Sequence, residues 1–306
     1  MKLDRFIALG LFVGACSTAP IMADEAEETV EAPGWLKKDF QEFSTLLAGR
    51  WDNERHRFFA EAAGVEGETL APHVHIEITA GEETKNEEIY AFSSVDQKSE
   101  TPNTALSHAI RISEDKMSIT HSISNSETEG GGCVINWSRR GDQFEGKGTG
   151  ANCSEYFGQS KEIKNAIIST TLSDSEFWVS TQVNNTNVET RMRKARPFEC
   201  WAAVLRGVEH GDSGKGINDW YFKRGVKIHD QGGVAELETD ENPARTIRLR
   251  LRDVDWTYGN NRPSLTLYVM EGEDDRAVSY AWAEGGANRI GINLRWIQLS
   301  CTNQEK

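Results

Sequence analysis

The residues with the most chemistry per unit length lie in His73-Val74-His75-Ile76-Glu77-Ile78. In an extended strand, side chains alternate between faces. His73, His75 and Glu77 therefore share one face, and Val74, Ile76 and Ile78 the other. A same-face histidine pair two residues apart suits metal ligation from a strand, provided a third ligand arrives from elsewhere. His108 and His121, on later segments, are the candidates for that role. The ordinary alternative is a solvent-facing or hydrogen-bonded polar row. Asp52-Asn53 follow an apolar segment and a glycine. They suit either a ligand site or an Asx turn bonded to local backbone. Trp51, Trp137 and Trp178 offer flat surfaces for a ligand, although aromatics at strand positions more often pack in a core. Arg191, Arg193 and Arg196 could meet an anionic ligand or a protein. Paired surface arginines are the plainer expectation.

Several chemistries are excluded by spacing. There is no nucleophile-elbow motif and no H-E-x-x-H. Asp212-Ser213-Gly214-Lys215-Gly216 lacks the earlier glycine and the preceding strand of a P-loop. No C-x-x-C pair points to structural zinc.

The N-terminus reads as an export signal. A short, net positive head, Met1 to Arg5, precedes the apolar run Phe6 to Ala15. That run is shorter than the roughly 20 residues a bilayer span needs, and its flanks match a secretory signal, residues 1–15. Val13-Gly14-Ala15-Cys16 resembles the lipobox of bacterial lipoproteins, in which the cysteine carries the lipid. Cleavage after Ala23 is the alternative, but Ile21 fits that site poorly. Ser17 after the cysteine implies sorting to the outer membrane, facing the periplasm or cell surface. Residues 16–32 then form an acidic tether: Asp24, Glu25, Glu27, Glu28 and Glu31 repel one another and have little to bury. Apart from Cys16 there remain Cys133, Cys153, Cys200 and Cys301, an even set expected to form disulfides in an oxidising compartment. Three pairings are possible. The local ones, Cys133–Cys153 and Cys200–Cys301, fit best.

Charge narrows the partners further. The 306-residue chain carries −14, and loss of Lys2, Asp4 and Arg5 with the signal leaves about −15. Such a surface argues against nucleic acid. It leaves the lipid as the sole membrane attachment, because docking on anionic headgroups is disfavoured.

These side chains need a scaffold, and hydrophobic periodicity predicts one. Over residues 33–49, Trp35, Leu36, Phe40, Phe43, Leu46 and Leu47 recur at spacings of three and four, which predicts one amphipathic helix stopped by Gly49. Thereafter the period is two. Short alternating runs, separated by turn residues, extend from His73 to Arg193. They predict an antiparallel barrel or sandwich over residues 33–206. Gly207 to Gly216 reads as a linker or long loop. Residues 207–306 form a second, small β-rich domain, in which Arg248, Arg250 and Arg252 line one strand face. That row is expected to face solvent or pair with acidic neighbours; a phosphate-binding stripe is the alternative.

One family resemblance covers about residues 36–200. Leu46-Leu47-Ala48-Gly49-Arg50-Trp51-Asp52-Asn53, Val74-His75-Ile76, Ile89-Tyr90, Gly132-Cys133, Phe144-Glu145-Gly146 and Cys153 occur in the order of the motifs of the CpcT/CpeT phycobiliprotein chromophore lyases. The resemblance implies an all-β, calycin-like antiparallel barrel with an N-terminal helix, and it supports the Cys133–Cys153 pairing. It implies lyase chemistry on a bilin, or another tetrapyrrole as ligand. Arg50, Trp51, Asp52, Asn53, His75, Tyr90 and His108 become its ligand-binding candidates. Two departures redirect it. Ala105-Leu106-Ser107-His108 stands where the family has a Tyr- and Arg-rich strand, and Phe92-Ser93 stands where it has Glu-Gln. With an export signal in front, the expectation is a retained cup for a small amphipathic ligand. The alternatives are a non-catalytic module contacting other envelope proteins and a metal-assisted enzyme using the His73/His75 face.

Overall fold

A computed structural model describes residues 31–67, 70–83, 88–96, 104–124, 132–150, 153–157, 167–183, 186–207, 219–256 and 262–305, with backbone alone at 80–83, 88–96, 104–105, 154–155, 183 and 186. The lipobox, the tether up to residue 30 and most of the 207–216 segment lie outside the described residues.

The predicted helix is α1, Gly34–Leu47. Its apolar spacing buries Leu36, Phe40, Phe43 and Leu47 on one face. The end is closed by side chains from other elements: Trp51 Nε1 donates to the Leu47 carbonyl at 2.9 Å and Lys194 Nζ to that of Leu46 at 3.0 Å. These satisfy two of the acceptors that a helix C-terminus leaves open. Gly49 then turns the chain at φ +129°, where any other residue would be strained.

Ten strands follow, interrupted by two helices. They are β1 (Gly49–Asp52), α2 (Glu54–Ala62), β2 (His75–Glu83), β3 (Glu88–Asp96), β4 (Thr104–Ile112), β5 (Ile119–Ser124), β6 (Cys133–Arg140), β7 (Gln143–Thr149), α3 (Cys153–Tyr156), β8 (Ile168–Leu172), β9 (Glu176–Val183) and β10 (Thr186–Ala195). Neighbours pair antiparallel, and β1 pairs with both β2 and β10, which closes the barrel. Inward positions on β6 and β8–β10 are buried and outward ones largely exposed. Phe40, Phe43 and Leu47 of α1 join Trp51, Trp137, Phe144 and Phe177 in the core. Phe43 lies 5.0 Å from Trp137 and 5.3 Å from Phe144, centroid to centroid. Gly146 makes room here, since a Cβ would stand 2.7 Å from the Trp137 ring. Cys133 and Cys153 are bonded, as are Cys200 and Cys301. Two disulfides mark a chain of an oxidising, non-cytoplasmic compartment. Among the described residues, no helix is long and apolar enough to cross a membrane.

The C-terminal part comprises β11 (Pro197–Leu205), β12 (Trp220–His229), β13 (Gln231–Glu238), β14 (Thr246–Asp255), β15 (Pro263–Glu271), β16 (Ser279–Glu284), β17 (Arg289–Asn293) and β18 (Ile297–Asn303). They form two four-stranded sheets, β12-β11-β18-β17 and β13-β14-β15-β16, around a shared core. Cys200 and Cys301 face each other across β11 and β18. The expected barrel domain, residues 33–206, includes 197–206 as its end. The structure instead gives β11 to the second lobe and puts the boundary at Arg196, because β11 finds both its partners, β12 and β18, there. The alternating run from Ile290 to Leu299, which reads as one strand, is two, β17 and β18, and β1, β11, β12, β13, α2 and α3 have no counterpart among the predicted elements. Barrel and C-terminal lobe pack as one compact unit from Ala32 to Lys306.

Candidate functional site

The barrel's strand register decides which candidates can meet. Trp51 pairs with Ile76 and Lys194, and all three side chains belong to the inner face. Asp52 pairs with His75 and Arg193, and Arg50 with Glu77, so these point outward, toward the C-terminal lobe. Of these, Asp52 is buried, 2 % exposed.

Asp52 is the hub of this outer cluster. Its Oδ1 lies 3.0 Å from His73 Nε2 and accepts the Glu54 N–H at 2.7 Å. Its Oδ2 lies 3.0 Å from His75 Nδ1 and 3.9 Å from His229 Nε2. His229 ends β12, so the C-terminal lobe contributes it. Its ring stacks on His75, with centroids 4.7 Å apart and planes 19° apart. Three of the seven histidines in the chain thus gather on one carboxylate. Burial pushes the Asp52 carboxyl up, but hydrogen bonds from His73 and His75 and the charge of the rings outweigh it, and the pKa falls to about 2. Burial lowers His229 to about 4, against the pull of Asp52 and with help from His75, Arg50 and His73. Near pH 7 the cluster therefore presents a carboxylate beside a neutral imidazole of His229.

Asn53 is fully buried and braces the turn. Its Oδ1 accepts the Val74 N–H and its Nδ2 donates to the Pro72 carbonyl, both at 2.7 Å. Arg50 pairs with Glu77 at 3.1 Å. Trp51 and Trp137 are core. Trp178 lies outside, under the Arg191 guanidinium at 4.5 Å from its ring. Tyr90 sits on β3 opposite Ala109, with its side chain outside the described residues.

His108 and His121 do not complete the His73/His75 site. Both point into the barrel, on the opposite side of the sheet from Asp52, and they pair with each other, Nδ1 to Nε2, at 2.7 Å. The third ligand candidate is instead His229, about 150 residues along the chain, and the sequence carries no periodic signal linking it to His75.

The barrel interior holds a second polar group. His121 Nδ1, Trp137 Nε1 and the hydroxyls of Thr170, Thr181 and Thr190 are buried with no hydrogen-bond partner among the described residues. They come from β5, β6, β8, β9 and β10, all from inward positions.

The arginine rows are paired. Arg191 meets Glu189, Arg193 meets Asp255, and Arg196 meets Asp230 at 2.5 Å and Asp253 at 3.0 Å. Arg248 meets Asp275 and Arg252 meets Glu54. Charge pairing, rather than phosphate binding, accounts for the Arg248, Arg250 and Arg252 stripe.

No family model, curated protein or solved structure matches the chain.

Proposed function

We propose that this chain is an exported, lipid-anchored envelope protein whose barrel receives a small amphipathic ligand. The supporting observation is the set of five unpartnered polar atoms on inward positions of the barrel. A buried donor or acceptor left unpaired costs about 1–3 kcal/mol. Each such group calls for a partner, for example an ordered water or a ligand. These polar atoms lie among apolar side chains such as Trp137, Ile135 and Ile168, so the reading calls for a ligand with an apolar body and a few polar edges. The resemblance to the CpcT/CpeT lyases makes a bilin or other tetrapyrrole the first ligand to try. The departures from the family's motifs favour binding over lyase chemistry.

Titration with biliverdin and with haem tests this reading. A shifted absorption band that saturates at one ligand per chain is expected. It should weaken in the near-isosteric variants Thr170→Val, Thr181→Val and Thr190→Val. An unchanged spectrum with both chromophores, together with no small molecule released on denaturing the native protein, would count decisively against it. The lipid anchor has its own check: palmitate labelling that disappears in Cys16→Ala. Unlabelled protein beginning at Asp24 would rule the anchor out.

A second reading rests on the surface of the C-terminal lobe. Tyr280 and Trp282, 62 % and 73 % exposed, stand on β16, the outer strand of its sheet. An edge strand with protruding aromatics can accept an extended segment of another envelope protein by strand addition. Cross-links from β16 to one partner that vanish in Trp282→Ala would favour this role.

A further inference from the structure

We infer that Asp52, His75 and His229 form a site for a zinc-class divalent transition ion at the seam between the barrel and the C-terminal lobe. One potential ligand atom from each of the three residues lies within 4.8 Å of the other two. Metal–ligand bonds of 2.0–2.1 Å in a tetrahedron put neighbouring ligand atoms about 3.3 Å apart. The observed separations from Asp52 Oδ2, 3.0 Å to His75 and 3.9 Å to His229, lie on either side of that value. Because each imidazole lone pair lies in its ring plane, joining both nitrogens to one ion requires the rings to turn out of their stacked arrangement, with planes 19° apart.

Hydrogen bonding alone leaves part of the cluster unexplained. His73 and His75 each have a carboxylate oxygen at 3.0 Å. His229 does not: 3.9 Å is too long for a hydrogen bond, and its Nδ1 is buried without a partner among the described residues. An ion between Asp52 Oδ2 and His229 Nε2 would give that nitrogen the partner that the carboxylate is too far away to be; it does not account for Nδ1, on the other side of the ring.

The surroundings hold each ligand still. His73 and the Glu54 N–H fix Asp52 Oδ1, which leaves Oδ2 facing the two other ligands. His73 is therefore a positioning residue, in the manner of the outer-shell partners that orient metal ligands. His229 is anchored through the next residue: Asp230 accepts from Arg196 and its backbone pairs with Arg196 and Asp253. Gly233 lets the chain fold back over the ring, since a Cβ there would stand 2.6 Å from His229 Cδ2. Two nitrogens and one oxygen favour zinc-like ions over calcium or magnesium, which prefer oxygen shells. Three protein ligands leave a fourth position, and the partly exposed His73, His75 and His229 rings give water a path to it. The site lies outside the barrel and does not depend on the interior ligand.

The test is titration of the chelator-treated full chain with Co2+ and then Zn2+. One Co2+ per chain should bind with visible d–d bands, and Zn2+ should displace it. Affinity should fall at least about a hundredfold in His229→Ala and in His75→Ala, and roughly tenfold in His73→Ala. His56→Ala, outside the cluster, should bind as the parent does. No visible band at millimolar Co2+, or parental affinity in His229→Ala, would overturn the site. Should His229→Ala fail to fold, His229→Gln takes its place, and the thermal midpoint of the parent is measured with and without Zn2+. A parental midpoint that Zn2+ does not raise would likewise overturn the site.

Discussion

At the scale of single residues, burial sets behaviour that sequence could not show. His108 and His121 were legible as histidines on alternating strands, but not as a pair facing inward, because alternation fixes the faces and not which face the helix will cover. Burial lowers His108 to about 4 and holds His121 well below the usual imidazole value, with the charge of His108 adding to the latter. The folded state therefore binds fewer protons than the unfolded chain, whose histidines titrate near 6.5. Stability from this pair is complete above about pH 6.5 and is lost as pH falls toward 4. At pH 5 the His108 contribution alone is on the order of 2 kcal/mol. Urea midpoints at pH 7.5 and 5.0 should show this loss, and His108→Gln should lessen it. An equal pH dependence in parent and variant would refute the assignment. Asp52 shows the same limit of sequence from the other side of the sheet. Its motif position makes it a ligand-binding candidate of the barrel, whereas the register turns it outward beneath the second lobe.

At the scale of elements, legibility followed the strength of the periodic signal. The helix over 33–49 was plain because six apolar residues repeat at helical spacing, and α1 differs only by a residue or two at each end. The barrel strands from β2 to β10 were plain for the same reason with a period of two, but β1, four residues long and starting at the Gly49 stop, was too short to show one. By contrast, α2 buries no residue fully and has no apolar face, so nothing in its sequence announced it. It is helical because Asn53 and Asp52 hold its start and because Glu54, Arg55 and Phe58 meet the other lobe. The role of α1 gives a direct prediction. Phe43 is fully buried between Trp137 and Phe144, so Phe43→Ala leaves a cavity that the ring-packed core cannot close. A loss of about 3–5 kcal/mol is expected from denaturant unfolding. The Arg139 guanidinium, hydrogen-bonded to Glu42 and paired with Asp39, holds the outer side of the helix and lowers the Glu42 carboxyl. Because that contact is exposed, Arg139→Ala should cost far less than Phe43→Ala. A reversed order would show that α1 is held by charge and not by its apolar face.

At the scale of the whole molecule, the two lobes act on each other through a charged seam. The barrel supplies Arg55, Arg193 and Arg196, and the C-terminal lobe answers with Asp230, Asp253 and Asp255. The exchange also runs the other way, from Glu54 to Arg252, whose guanidinium lies 4.7 Å from the Phe58 ring centroid. Sequence showed an acidic chain and an arginine row in its C-terminal part but not this complementarity, which exists only after both lobes have folded. The central pair is Arg196 with Asp230. Asp230 is 1 % exposed; burial raises its carboxyl, and Arg196 opposes that shift. A buried ion pair adds little net stability over an apolar pair of the same shape, but removing one partner strands the other charge, at about 3–5 kcal/mol. Arg196→Ala should therefore destabilise strongly, and Arg196→Met with Asp230→Leu much less. Because Asp230 also anchors His229, the single variant should loosen the Asp52 cluster as well. The two lobes would then unfold in separate steps, read by calorimetry as two transitions in place of one. A single sharp transition with an unshifted midpoint in Arg196→Ala would mean that the seam is held by its apolar contacts, such as Phe59 against Trp256 at 6.4 Å, and not by its charges.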